Sequence, residues 1–459
     1  MIFKLFNGVG EAGDIGIALL VSFILLVLSL RGSAIYILRI MRGKGTFILT
    51  STAATSDMKI TGNHVRYAPN RLLINTAGAV QDIYGHHAPV KKYVNYRVLA
   101  QQAPNILTMQ NKLQHSRRRR VLSQRFSARS LESWQPRIVS QLDRLSQVIR
   151  GCLITTPSSM EDGLTTPLDM ARTCNHFDTL RSSNYRYVIE AISASSIRLS
   201  VLLQAQELAT GNLDGRLFPS SIAGRRQSVR IIRELLGTRL RGLDKGGDLF
   251  AFLQQCKDPA AGEGLGLTEL STETATFIIA GSDTSSTTMA AVCHYVTGSS
   301  ESSASLTDIR LEPTLNSCVF LRACVDEALR LSPPAASALW REVEDGGASI
   351  DGHWLPRGCD VGVGIYSIHH HVTEWPKPFQ FNPDRWLEGR GLRKSTAART
   401  CPSRSGPRAV MLTMARLFWE FDMWRLDRND SEAKDIGYVV ADLVTAGGQG
   451  PMLSFRPRI

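Results

Sequence analysis

No two of the eight cysteines stand at CxxC spacing, and no proline occurs before Pro69 in this chain of 459 residues. The cysteines are scattered from Cys152 to Cys401 without zinc-type pairing, which suits a reducing compartment better than a disulfide scaffold. Gly 37 and Pro 19 are near average usage, so collagen-like and low-complexity classes are excluded. No GxSxG, Walker or dinucleotide fingerprint is present, which leaves a hydrolase, an NTPase or a self-sufficient NADPH enzyme without support. Acidic residues are outnumbered: Lys+Arg 53 against Asp+Glu 41 leaves +12, a balance that favours anionic partners. Basic residues are not interleaved with aromatic ones as base stacking requires, so nucleic acid is not an expected partner.

What is present begins at the N-terminus. Ile15–Leu30 is an uncharged apolar run of 16 residues, close to the roughly 20 needed to span a bilayer. Arg31, Arg39, Arg42 and Lys44 follow it, and the positive-inside bias then keeps the rest of the chain cytosolic. We therefore expect residues 1–44 to be a single-pass membrane anchor with its linker, and residues 45–459 the functional domain. Beyond residue 60 helix outweighs strand. Helical period runs through Gln114–Arg137, Ser228–Leu243, Leu267–Val296, Cys318–Leu331 (stopped by Pro333-Pro334) and Met411–Trp424, with short strands within 337–375. The fold class expected is mainly α with small β-sheets.

Three pieces carry chemistry. The long apolar helix holds Ala280-Gly281-Ser282-Asp283-Thr284, an acid and a hydroxyl side by side where burial is costly unless they are bonded or functional. Gly281 lets a ligand approach the helix backbone. Farther on come Glu327-Ala328-Leu329-Arg330, an i,i+3 ion pair, and Phe381-Asn382-Pro383-Asp384-Arg385-Trp386. Taken singly these are a hydroxyl-rich helix face and ordinary salt bridges. Their order and spacing together are distinctive.

In that order the pieces resemble the cytochromes P450, in particular the microsomal type of fungi. The likeness extends along most of residues 62–388, including Val65–Asn70, Asp82–His86 and Asp360–His370. It implies haem b as cofactor. It assigns Asp283 and Thr284 to proton delivery above the haem, and Glu327, Arg330 and Arg385 to a buried charge triad. His115 and Arg119, four residues apart on one helix face, match the family's propionate-binding pair, and Arg341 of Trp340-Arg341-Glu342-Val343 resembles its second propionate arginine. The activity implied is insertion of one oxygen atom from O2 into an apolar small molecule, in fungal secondary metabolism. Electrons would come from NADPH through the flavoprotein NADPH–cytochrome P450 reductase, on the endoplasmic reticulum membrane.

The family's haem ligand is a Cys in the pattern Phe-x-x-Gly-x-Arg-x-Cys-x-Gly, where the thiolate favours O–O cleavage. Here Ala398–Val410 aligns in two ways. One sets Gly406-Pro407-Arg408 on Gly-x-Arg and leaves Val410 at the ligand position. The other sets Arg399-Thr400-Cys401 on Arg-x-Cys, giving Cys401 as the axial ligand of the haem iron, and keeps the spacing to the following helix. Stretches Phe177–Arg186 and Tyr295–Cys318 are shorter than the family's. The alternative to an active monooxygenase is accordingly a catalytically inactive or truncated relative with a damaged ligand loop. The triplet His369-His370-His371 lacks a carboxylate at ligand spacing and is not expected to bind metal. Arg117–Arg120 is expected to mix propionate contact with a solvated basic face.

Overall fold

The computed structural model describes residues 62–100, 103–124, 135–154, 168–169, 186–205, 208–209, 213–240, 249–298, 318–387, 406–425, 437–438, 440–441, 443–444, 447–448 and 450–458. In chain order the strands are β1 (His64–Ala68), β2 (Arg71–Ile74), β3 (Val90–Lys92), β4 (Leu168–Asp169), β5 (Arg341–Val343), β6 (Ala348–Ile350), β7 (His353–Leu355), β8 (Asp360–Gly362), β9 (Phe421–Arg425), β10 (Val440–Ala441), β11 (Gly447–Gly448) and β12 (Met452–Pro457). The helices are α1 (Ala77–Tyr84), α2 (Lys112–Ser123), α3 (Gln135–Ile154), α4 (Arg186–Gln204), α5 (Leu213–Leu217), α6 (Pro219–Leu240), α7 (Leu249–Gln255), α8 (Leu267–Thr297), α9 (Val319–Leu331), α10 (Ile365–His369) and α11 (Gly406–Glu420).

The largest sheet has the order β1-β2-β8-β5-β3, antiparallel except for the β2–β8 pair. Its apolar face packs on α1 through Ile74, Ala79, Ile83, Val343 and Val361. The β6–β7 hairpin turns at Asp351-Gly352, both with positive φ (51° and 76°), the conformation a tight two-residue hairpin demands. The main core lies among α8, α9, α11 and the β9–β12 pair, where Met289, Cys293, Cys324, Val325, Met414, Phe418 and Phe455 are buried together. Burying this continuous apolar surface, at roughly 25 cal/mol per Å2, is what holds α8 rigid enough to support a site.

Several expected elements shift. The period over Gln114–Arg137 resolves into α2, which ends at Ser123, and α3, which starts at Gln135. α6 begins at Pro219, well before Ser228, because a proline is tolerated in a first helical turn. The helix expected over Met411–Trp424 stops at Glu420. Phe421–Arg425 instead pairs with β12, Phe421 opposite Pro457 and Met423 opposite Phe455, so partner geometry overrides local helical period. No helix among the described residues is long and apolar enough to cross a membrane, and Ile15–Leu30 lies outside them.

Candidate active site

α9 is amphipathic, and its buried face carries two charges. Glu327 and Arg330 are fully buried, and the Glu327 carboxylate receives donors from several directions. Arg330 gives Nε to Oε2 and Nη2 to Oε1, both at 2.9 Å, while Arg385 gives Nε to Oε1 at 3.0 Å. The Trp386 indole N–H reaches Oε2 at 2.8 Å and the Asn382 backbone N–H reaches Oε1 at 3.0 Å. Arg330 Nη1 goes to the carbonyls of His369 (2.7 Å) and Pro378 (2.6 Å), and Arg385 Nη1 to that of Pro376 (3.0 Å). A buried carboxylate persists only when its lone pairs are filled in this way. Asn382 and Trp386 belong to the network although only the arginine of their segment stood out in the sequence. The side-by-side polar groups on both flanks of Pro383 were the available signal.

α2 is capped at its N-terminus by Asn111, whose side chain accepts from the Gln114 N–H at 3.0 Å. Its arginine run is partly solvated, with Arg119 and Arg120 exposed, and partly ion-paired. Arg117 bonds Glu263 Oε2 (3.3 Å) and the Gly264 carbonyl (3.0 Å), and Arg120 bonds both oxygens of buried Asp258 (3.1 and 2.9 Å). Arg118 is buried against Glu273 (2.7 Å) and Glu269. Successive residues on a helix point about 100° apart, so one run serves different neighbours.

Arg119 takes another direction. With His115 it joins Lys92 at the end of β3 and Arg341 at the start of β5, close enough that the two arginines act on both Lys92 and His115. Burial, together with the charges of Lys92, Arg119 and Arg341, pushes His115 down to about 4. Burial and Arg341 push Lys92 down to about 8. Arg341 also donates to the Trp340 carbonyl (2.9 Å) and lies over the Tyr84 ring at 5.3 Å. Crowded, mutually repelling cations are the donor set that an anion with two carboxylates satisfies. The cluster thus fits the propionate edge of a haem. Lys92 was not visible as part of it in the sequence.

α8 opens with the Gly266 N–H donating to Glu269 Oε2 (3.1 Å), an acid suitably placed near a helix N-terminus. Its hydroxyls are satisfied by their own helix: Thr284 Oγ1 donates to the Ala280 carbonyl (2.8 Å) and Thr288 Oγ1 to that of Thr284 (2.7 Å). Asp283 and Thr284 are half-buried. A Cβ on exposed Gly281 would meet nothing within 4 Å, so open space lies over this turn of the helix.

Cys401 lies outside the described residues. Of the described cysteines, Cys324 sits in the core beside Glu327, and burial pushes its thiol up to about 12, the reverse of what a thiolate ligand needs. Gly406-Pro407-Arg408 form the first turn of α11, and Val410, the other aligned ligand position, is buried in the main core. The histidine triplet is structural. His369 accepts from Arg330, His370 stacks between Tyr366 (4.0 Å) and Phe379 (5.0 Å), and His371 bonds Asn63 (3.0 Å). Among the described residues no group of three or more His, Cys, Asp or Glu could hold a metal ion.

The architecture is mainly helical with small sheets, and comparison with known proteins gives the family. The cytochrome P450 family model matches residues 230–409. The chain is 38% identical over 430 residues to "Cytochrome P450 monooxygenase poxM" of Penicillium oxalicum, covering 86% of this chain and 83% of that protein. It is 47% identical over 314 residues to "Cytochrome P450 monooxygenase lcsN" of Purpureocillium lilacinum, covering 62% and 93%. A crystal structure of a cytochrome P450 (CYP102L1) shares the fold with a TM-score of 0.67 at 16% identity, over 89% of this chain and 94% of that one. The chain belongs to the cytochrome P450 monooxygenase family, a family of oxidoreductases whose cofactor is haem.

Proposed function

We propose that this protein is a haem-thiolate monooxygenase that inserts one oxygen atom from O2 into an apolar small molecule of fungal secondary metabolism. The observation that carries this reading is the convergence of His115, Arg119 and Arg341 on one place in a P450 fold whose α8 leaves open space at Gly281. When bound, the haem supplies the one-electron and O2 chemistry that amino-acid side chains lack. The chain's own part is positional. His115, Arg119 and Arg341 hold the cofactor's carboxylates. Asp283 and Thr284 hold and pass protons at a carboxyl and a hydroxyl oxygen, general acid chemistry placed on a rigid helix. Glu327, Arg330 and Arg385 fix α9 to the segment after Pro376. Cys401 would supply a thiolate to the haem iron.

Electrons come from NADPH through a separate flavoprotein reductase, since the sequence carries no flavin or nicotinamide motif. Residues 1–44 anchor the chain to the endoplasmic reticulum membrane with residues 45–459 in the cytosol. Deleting 1–44 then moves the protein from the membrane pellet toward the soluble fraction, and an N-glycan on a sequon engineered after residue 60 contradicts that orientation. The catalytic reading is tested by the spectrum of the reduced, carbon monoxide-treated protein. A thiolate-type Soret band is expected; its absence in haem-loaded protein overturns the assignment.

A second reading is favoured by one observation. The family match ends at residue 409, immediately before Val410, and Val410 packs in the apolar core of α8, α9 and α11. In that reading the chain is a catalytically inactive or truncated relative that keeps the scaffold without the ligand. Haem-free protein after expression with excess haem precursor supports it over the first.

A further inference from the structure

α6 lies against α4, and the two helices touch at Gly224, where a Cβ would come within 2.7 Å of the Ala191 carbonyl oxygen and 3.2 Å of the Ala194 Cβ. That close crossing brings Arg225 of α6 near enough to Arg198 of α4 for the two charges to act on each other. The acid bonded there is taken by Arg198 alone. Asp214, buried in the first turn of α5, accepts on Oδ2 from Arg198 Nε (2.7 Å) and from its Nη2. Arg225 bonds only backbone. Its Nη1 donates to the Val98 carbonyl (3.2 Å) and its Nη2 to the Ala100 carbonyl (2.9 Å), at the end of the 3-10 helix Val94–Leu99. Among the described residues no carboxylate bonds the Arg225 guanidinium, and burial together with Arg198 pushes it below its ordinary range.

Closing the end of a 3-10 helix takes N–H donors and no net charge. An arginine stays charged in a protein, and a half-buried charge without a counter-ion is costly. Two of its five N–H groups are used here, which leaves three on a planar group that suits a carboxylate. Nearby the packing is apolar: Ile192 of α4 and Ile231 of α6 are buried together against Ile279 of α8, two residues before Gly281. Arg225 stands six residues before Ile231, roughly 9 Å along the helix axis. We propose that Arg225 binds a carboxylate carried by the substrate, whose apolar remainder extends toward the open turn of α8 at Gly281. The proposal rests on the monooxygenase reading above and narrows its substrate class, from an apolar small molecule to an apolar acid. The same guanidinium holds Val98 and Ala100, so one side chain fixes both the acid group and the segment between β3 and α2.

The test titrates the full chain, as purified, with decanoate and with methyl decanoate by calorimetry, each kept below its self-association concentration. Wild type is expected to bind the acid about tenfold or more tighter than the ester, the scale of one charge-assisted bond. Arg225→Gln should remove that preference, weakening decanoate by a similar factor and leaving the ester unchanged. Arg225→Lys keeps the charge without the planar fork and should retain part of the preference. A clamp on the Val98 and Ala100 carbonyls alone predicts otherwise: acid and ester lost alike in Arg225→Gln, with a lowered melting temperature. Equal affinity of wild type for acid and ester overturns the proposal, as does an equal loss of both in Arg225→Gln. Inorganic phosphate separates a substrate group from a free anion. Phosphate bound by wild type as tightly as decanoate, and lost in Arg225→Gln, would make this a free-anion site and overturn the assignment to substrate. Failure of wild type to bind either decanoate or its ester overturns the apolar-substrate reading and the proposal with it. That failure is distinguishable, because every other outcome requires a wild type that binds.

Discussion

Arg118 of α2 reaches Glu273 of α8, Nη1 to Oε1 at 2.7 Å, with both side chains buried. This pair, joined by Glu269, is the main polar tie between the helix that carries His115 and Arg119 and the helix that carries Asp283 and Thr284. Burial raises the Glu273 carboxyl above its ordinary range, and the Arg118 guanidinium pulls it back down.

Removing Arg118 strands that carboxylate. Arg118→Met should cost ~3–5 kcal/mol of unfolding free energy at pH 8, measured by denaturant titration. A carboxyl whose folded pKa is raised contributes most stability at low pH and loses it as pH rises through the folded value. The deficit of Arg118→Met should therefore shrink toward pH 5, and adding Glu273→Gln should recover much of it at pH 8. A deficit that is constant with pH and insensitive to Glu273→Gln would show that packing, not charge, is what the mutation removes.

Glu327 gives the sharper case. Its carboxylate answers two buried arginines, an indole and a backbone N–H. Glu327→Ala leaves Arg330 and Arg385 buried together without their counter-ion, again about 3–5 kcal/mol. Soluble yield and haem content should collapse together, while Glu327→Gln, which keeps acceptor oxygen but not charge, should retain partial yield. Normal melting temperature and haem content in Glu327→Ala would refute the structural role of the network.

How much of this was legible in the sequence differs from residue to residue. α8 was readable because thirty-one residues of uniform period need no partner to be recognised. The Glu327–Arg330 spacing was readable because both ends lie on one helix turn. The partners of Arg117, Arg118 and Arg120 lie 138–155 residues downstream, so their ion pairs could not be read from the run of arginines. Phe421–Trp424 was misread for the same reason: its strand state is set by β12. Lys92 had no local signal at all, since only the β3–β5 register sets it against Arg341.

Asp360 provides a pH signature. Burial raises its carboxyl to about 6, against the pull of Arg71, whose Nε lies 3.4 Å away; Glu342, paired with it across β5–β8, raises it further. The folded pKa exceeds the unfolded one, so this group's contribution is fully present below the unfolded value and is lost as pH rises through about 6. Between those values the protein loses stability with increasing pH on this account. Asp360→Asn should flatten that portion of the melting-temperature profile, and Arg71→Met should move it to higher pH. A profile identical in wild type and Asp360→Asn would remove Asp360 as its source.

In the proposed reading the ligand and the proton route can be separated by mutation because they would do different work. A thiolate donates electron density to the iron, whereas Thr284 holds a proton on a hydroxyl that its own helix already orients through the Ala280 carbonyl. Cys401→Ser should erase the thiolate-type carbon monoxide spectrum and with it all turnover. Thr284→Ala should keep the spectrum while diverting reducing equivalents from product into peroxide, product formation falling by roughly the 10²–10⁴-fold that one positioned proton donor contributes. Asp283→Asn should slow turnover similarly and leave the spectrum unchanged. Val410 serves as the control for the other alignment: Val410→Ala removes buried methyl groups from the core and should cost about 1–3 kcal/mol without altering the spectrum. A thiolate spectrum that survives Cys401→Ser places the ligand on another cysteine, and loss of the spectrum in Thr284→Ala would mean that residue supports cofactor binding instead of proton delivery.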